Sequence, residues 1–182
     1  MTDRISGSAF KQMITFGAAC VTQQKQAIND LNVFPVPDGD TGTNMSLTIQ
    51  TAVNELKKSE PATVGEAAKI TAGALLRGAR GNSGVILSLL FRGLSKSVKG
   101  LTDMDGAQLA AAMAEGVTTA YGAVMKPAEG TVLTVSRLAA ARAVEAAQEN
   151  PSAEYVLEQA IAAGYETLAQ TIDMNPVLKK AG

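Results

Sequence analysis

Seven successive stretches of this chain repeat apolar residues at intervals of three and four, and short loops rich in Pro, Gly or polar residues separate them. That period is the signature of amphipathic helices. The first stretch runs from about Ser8 to Asp30, with Phe10, Met13, Ile14, Ala18, Val21 and Ile28 on one face. The second follows a loop at 32–42 and ends near Lys58, the third spans Val64 to Arg77, and the fourth Ser83 to Lys96. The fifth covers Gly106 to Met125 with Asp103 or Asp105 as its cap, the sixth Thr131 to Asn150, and the seventh Ser152 to about Ile172. Asn175-Pro176 opens an eighth, incomplete helix, and no segment reads convincingly as a strand. Hydrophobic residues make up 46% of the chain but aromatics only 4%, with no Trp, a composition better suited to packed helices than to sheets. The expectation is an all-α fold, an antiparallel up-and-down barrel or bundle of about eight helices, in one domain over 1–182.

Short connections between antiparallel helices bring alternate loops to the same end. The loops expected to share an end here are Asn32 to Gly42, Gly78 to Asn82, and Lys126 to Gly130. In the first, Pro35 and Pro37 favour extended backbone, and Asp38 and Asp40 flank a single Gly. Two carboxylates so placed suit Mg²⁺, which takes one or two protein carboxylates together with phosphate oxygens and water. Beyond Gly42, the free N–H groups near Thr43 and Asn44 would face an anion. The second loop, Arg77-Gly78-Ala79-Arg80-Gly81-Asn82-Ser83-Gly84, is cationic and rich in donors, with Ser83 placed to cap the fourth helix. It lacks the Gly-Lys-Ser/Thr of a P-loop. The third loop leads into Thr131. Each also has a plain structural reading: a polar turn, an ordinary Gly-rich turn and an N-cap.

The chain contains no His and a single cysteine, Cys20, so His-based nucleophilic catalysis, His- or thiolate-ligated metal and an intrachain disulfide are excluded within it. Cys20 is expected in the core. A formal net charge of −1 removes the electrostatic case for general nucleic-acid binding. No run has the length of a membrane span, and the N-terminus does not resemble a signal peptide. The expected location is the cytoplasm. What remains is carboxylate, hydroxyl, amide and cation chemistry, which suffices for phosphoryl transfer.

The segments Leu31-Asn32, Asp38-Gly-Asp40-Thr-Gly-Thr-Asn44-Met45, Gly81-Asn82-Ser83-Gly84 and Gly130-Thr131 closely resemble the nucleotide-binding L domain of the dihydroxyacetone kinase family. More narrowly, Asn-Val-Phe-Pro-Val-Pro-Asp-Gly-Asp-Thr-Gly-Thr-Asn-Met and Gly-Ala-Arg-Gly-Asn-Ser-Gly-Val-Ile-Leu-Ser look like the N-terminal, ATP-binding domain of bacterial fatty acid kinases. The resemblance covers nearly the whole chain. It implies an eight-helix antiparallel barrel with ADP or ATP and two Mg²⁺ ions at one end, Thr41, Gly42, Thr43, Asn44, Asn82, Ser83, Gly84 and Thr131 at the nucleotide, and Asn32, Asp38 and Asp40 at the metal. Asn32 stands where the family has its first acidic ligand, one residue further from Asp38, and Asp30 is the alternative. Thr41 replaces the His that follows the Asp pair in triose kinases, and the Arg-containing segment that closes their site is absent before Gly182. The fatty acid kinase reading implies further domains in the same polypeptide, a separate fatty-acid-binding protein that presents the acceptor, an acyl phosphate product, and a full-length protein that is a candidate homodimer. The alternative is an ADP-holding phosphocarrier subunit of a dihydroxyacetone-type kinase.

Overall fold

The computed structural model describes residues 2–181. Helices dominate it, in the order α1 (Gly7–Gln23), α2 (Lys25–Asp30), α3 (Thr41–Lys57), α4 (Val64–Gly78), α5 (Gly81–Ser97), α6 (Gly106–Ala123), α7 (Val132–Glu149), α8 (Ala153–Met174) and α9 (Pro176–Ala181). From α3 to α8 each helix packs on the next, and α1 packs on α3 and α4. This is the all-α bundle expected from the periodicity.

Capping residues fix most helix starts. Ser6 accepts the amide of Ala9 before α1, and Thr63 that of Glu66 before α4. Asp105 and Gln108 form a capping box at α6, so of the two aspartates named as caps it is Asp105 that serves. The faces turned inward carry small side chains: Ala52, Ala67, Ala68, Ala112, Ala143 and Ala146 have no exposed surface. Alanine lets helix backbones approach closely, and Leu56, Val64, Leu75, Met104 and Val156 fill the space between them.

Hydrogen bonds between helix starts establish the two ends of the bundle. Val64 at the start of α4 donates to Thr102 O, and Gly106 at the start of α6 donates to Pro151 O, just before α8. Gly7 lies against Thr63 O. Thus α1, α4, α6 and α8 begin at one end, and α3, α5 and α7 begin at the other, which is where the candidate site residues lie.

The structure departs from the sequence reading in four places. The first helix is not continuous: it breaks at Gln24, whose backbone leaves the helical region, and α2 turns to pack on the start of α3. Two three-residue strands are present, β1 (Arg4–Ser6) and β2 (Asp103–Asp105), paired antiparallel with Ile5 opposite Met104. They were invisible because three residues carry no period, and their pairing spans nearly a hundred residues. Cys20 is exposed; Phe10, Ile14 and Ala18 define the buried stripe of α1, which turns Met13, Phe16 and Cys20 outward. Ser83 is not a cap: α5 begins at Gly81, and Arg80, in extended backbone, holds the cap position.

The paired strands do more than decorate the end. The chain before β1 lies along the start of α8, where Ala153 N donates to Asp3 O (3.2 Å) and Glu154 N to Thr2 O (3.0 Å). The guanidinium of Arg4 reaches both Asp103 (2.7 Å) and Asp105 (3.4 Å). Residues from the beginning, the middle and the late part of the chain are thereby tied together.

Candidate functional site

The loop from Asn32 to Asp40 is shaped by two asparagines. Asn32 Oδ1 accepts from the amides of Asp40 (3.3 Å) and Thr41 (3.1 Å) and from the Thr41 hydroxyl (2.7 Å), while its Nδ2 donates to Val36 O (2.8 Å). Asn29, on α2, accepts from the amide of Thr43 (3.0 Å) and donates to the Thr43 hydroxyl (3.1 Å). Gly42 is buried against Lys25 O so closely that a Cβ would collide with it. The polar groups of Thr41 and Thr43, expected at the nucleotide, are therefore engaged within the loop. Asp30 accepts from Gln26 Nε2 (2.7 Å).

Asp38 and Asp40 differ from their neighbours. Both are exposed, and neither carboxylate makes a hydrogen bond or ion pair with the described residues. Asp40 occupies the N-cap position of α3, where an aspartate commonly accepts a first-turn amide; here its side chain caps nothing. Asn32 holds the Thr41 amide and Asn29 that of Thr43 instead. Two free carboxylates one residue apart are hard oxygen donors that fit a cation retaining several waters, as Mg²⁺ does. Among the described residues no group of three His, Cys, Asp or Glu side chains gathers into a metal cage, so such an ion would draw its remaining ligands from water and from whatever it binds.

The start of α5 lies directly against the first two turns of α3. Gly81 adopts φ +59, and a Cβ there would sit 2.5 Å from Asn44 Nδ2. Arg80 N donates to the hydroxyl of the fully buried Thr48 (3.1 Å), which in turn donates to Asn44 O (2.7 Å). Thr48 thus fastens the second loop to the helix that follows the first. No side chain caps α5, so the amides of Gly81, Asn82 and Ser83 are left facing outward, and the side chains of Asn82 and Ser83 make no hydrogen bond among the described residues. Uncapped N–H groups at a helix start attract anions. Gly84, by contrast, is buried against Thr48.

The third loop reaches the same end of the bundle but is anchored elsewhere. Thr131 is the N-cap of α7, accepting from Leu133 N (3.3 Å) and donating to Ala128 O (2.8 Å). Gly130 packs on Thr171 and Asn175 at the end of α8. The hydrogen bonds and packing of this loop run to α7 and α8, not to the Asp38 loop. Beside it lies a network that the sequence did not reveal: Glu129 accepts from Thr134 (2.9 Å) and Arg137 (2.8 Å), and Arg137 also donates to Tyr121 (3.2 Å). The Thr134 hydroxyl first, then Arg137 and Tyr121, hold the Glu129 carboxyl below its ordinary range against the opposing effect of burial. Asn29, Thr48 and Glu129 carried no local signal, since each acts through partners distant in sequence.

No helix among the described residues is long and apolar enough to cross a membrane. The sequence profile of the DAK2 domain matches residues 35–182. An uncharacterized protein of Staphylococcus haemolyticus is 45% identical over 182 residues, covering 100% of this chain and 33% of its own length. Uncharacterized proteins of Staphylococcus aureus strains RF122 and USA300 are 43% identical over the same 182 residues, again with 33% of their own length covered. The chain spans about a third of the length of the curated relatives it matches.

Proposed function

Because the chain belongs to the DAK2 domain family, nucleotide-binding domains associated with kinases, we propose that it binds ADP or ATP at the end of the bundle where α3 and α5 begin. The observation that carries this reading is the contact of Gly81 with Asn44, which sets two free carboxylates beside three uncapped amides. Asp38 and Asp40 would hold Mg²⁺, and Asn82, Ser83 and the amides around them would take phosphate oxygens, with Asn44 between the two. Bound there, the metal would offset phosphate charge during phosphoryl transfer. The chain's own part is orientation: a rigid first turn of α3 fixes the carboxylates, and the α5 dipole favours negative charge on its side.

The finer reading is a fatty acid kinase domain that passes the γ-phosphate to a carboxylate presented by a separate fatty-acid-binding protein, within a longer polypeptide. Two features support it. The chain has no His, and Thr41 stands after the Asp pair, so no side chain resembles the His of triose kinases. A carboxylate acceptor, already ionised at neutral pH, needs positioning and no general base. The competing reading, an ADP-holding phosphocarrier, predicts ADP retained through dialysis, whereas a kinase domain releases it.

Calorimetry with ADP in the presence and absence of Mg²⁺ tests the site. Wild type should bind Mg-ADP, and Asp40→Ala should lose most of that affinity while keeping its helical circular dichroism, since Asp40 is exposed and partnerless. Undiminished affinity in the variant would remove Asp40 from the site. With Mg-ATP and free oleate alone, the chain should form no acyl phosphate; efficient turnover without a partner would overturn the presented-acceptor reading.

A further inference from the structure

Resting on the proposed Mg-nucleotide site, we infer that Asn32 is a positioning residue, not a metal ligand, and that Asn32 and Asn29 together occupy the Thr41 and Thr43 amides at the start of α3 and leave the Asp40 carboxylate free for the ligand. The carbonyl oxygen of an asparagine has two lone pairs. Asn32 Oδ1 already receives three donors, from Asp40 N, Thr41 N and Thr41 Oγ1. Its amide nitrogen is held by Val36 O across the same loop. A cation could use that oxygen only by displacing donors that hold the neck of the loop closed.

The consequence is a division of labour between two helix starts. At α3, Asn32 takes the amide of Thr41 and Asn29 takes that of Thr43, while Asn44 N bonds to Asp40 O within the helix. Of the two amides an N-cap side chain can accept, that of Thr43 is taken by Asn29, and the exposed Asp40 carboxylate makes no capping bond. At α5 nothing performs this service, and its amides stay open. One helix start supplies negative charge for a cation and the neighbouring one supplies donors for an anion. The break at Gln24 belongs to the same device, because it swings α2 onto α3 and brings Asn29 within reach of Thr43.

The test separates positioning from ligation. Removing a residue that orients a metal's direct ligands typically costs about 10- to 100-fold in metal affinity. In metal-free protein, amide exchange at Asp40 and Thr41 should be slow in wild type and fast in Asn32→Ala, and Asn32→Ala should weaken Mg²⁺-dependent ADP binding about tenfold while the weaker metal-free binding of ADP stays unchanged. A metal ligand would instead gain Mg²⁺-dependent ADP binding in Thr41→Val, because losing one donor frees the Asn32 oxygen for the cation. A merely structural residue would change exchange and leave the Mg²⁺ dependence alone; either result overturns the inference. Thr41→Val, which deletes one of the three donors and keeps the helix start, should shift both readouts in the same direction by less, and provides the test if Asn32→Ala does not fold. Wild-type protein that binds no Mg-ADP takes down the nucleotide site and this inference together, whereas wild-type binding with an unaffected Asn32→Ala takes down only the inference.

Discussion

Single side chains in this molecule are defined by what their partners leave them free to do. Asp40 and Glu129 are both exposed acids at the same end of the bundle. One has no partner; the other has Thr134, Arg137 and, more weakly, Tyr121. Depression of the Glu129 pKa makes the folded state favour its charged form, so the stability it contributes is present above the ordinary glutamate range, about 4.3, and disappears as the pH falls through the lowered value. Glu129→Gln should therefore lower the melting temperature at pH 7, and the gap between variant and wild type should narrow toward pH 3. Thermal unfolding at the two pH values checks this; a gap that widens in acid would show that the carboxylate is not the stabilising form.

At the scale of elements, the proposed site depends on α5 starting where it does. A substitution at Gly81 tests that placement, because φ +59 favours glycine and the space beside it is filled by the Asn44 amide. Gly81→Ala should cost about 1–2 kcal/mol from the left-handed backbone and should reduce nucleotide affinity beyond what that loss explains, since Asn44 must move. Equal nucleotide affinity in wild type and variant would show that the two helix starts need not touch. The same helix illustrates how far the sequence could be read. Leu87, Phe91 and Leu94 at helical spacing made α5 visible, as the apolar period did for α3, α4 and α6 to α8. Its first residue was not visible, because Ser83 is a good cap by type and Arg80 a poor one, while the bond that holds Arg80 in place comes from Thr48, on another helix. The break at Gln24 was hidden for a similar reason: no Gly or Pro marks it. Within the site, the Asp pair and the Gly-rich loop stand out locally, but the engagement of Asn32, Thr41 and Thr43 arises from the loop folding back on itself.

For the molecule as a whole, the helices from α3 to α8 follow one another as neighbours, α1 packs on α3 and α4, and the β1 region joins the early residues to the distant β2 and α8. Ile5 is 4% exposed and faces the fully buried Met104. Ile5→Ala should destabilise the fold by about 2–5 kcal/mol, the usual cost of truncating a buried isoleucine, and should speed amide exchange at Ala153 and Glu154. Urea unfolding and exchange measured on the same variant decide it: a large loss of stability with Ala153 and Glu154 still protected would mean that Ile5 packs in the core without holding the clasp. The clasp also determines how the molecule would carry a load. Tension applied at the N-terminal end meets the bonds from Thr2 and Asp3 to the start of α8 before it meets α1. A pull on the beginning of the chain is thus felt first by its last long helix, and those bonds and the strand pairing stand between it and α1.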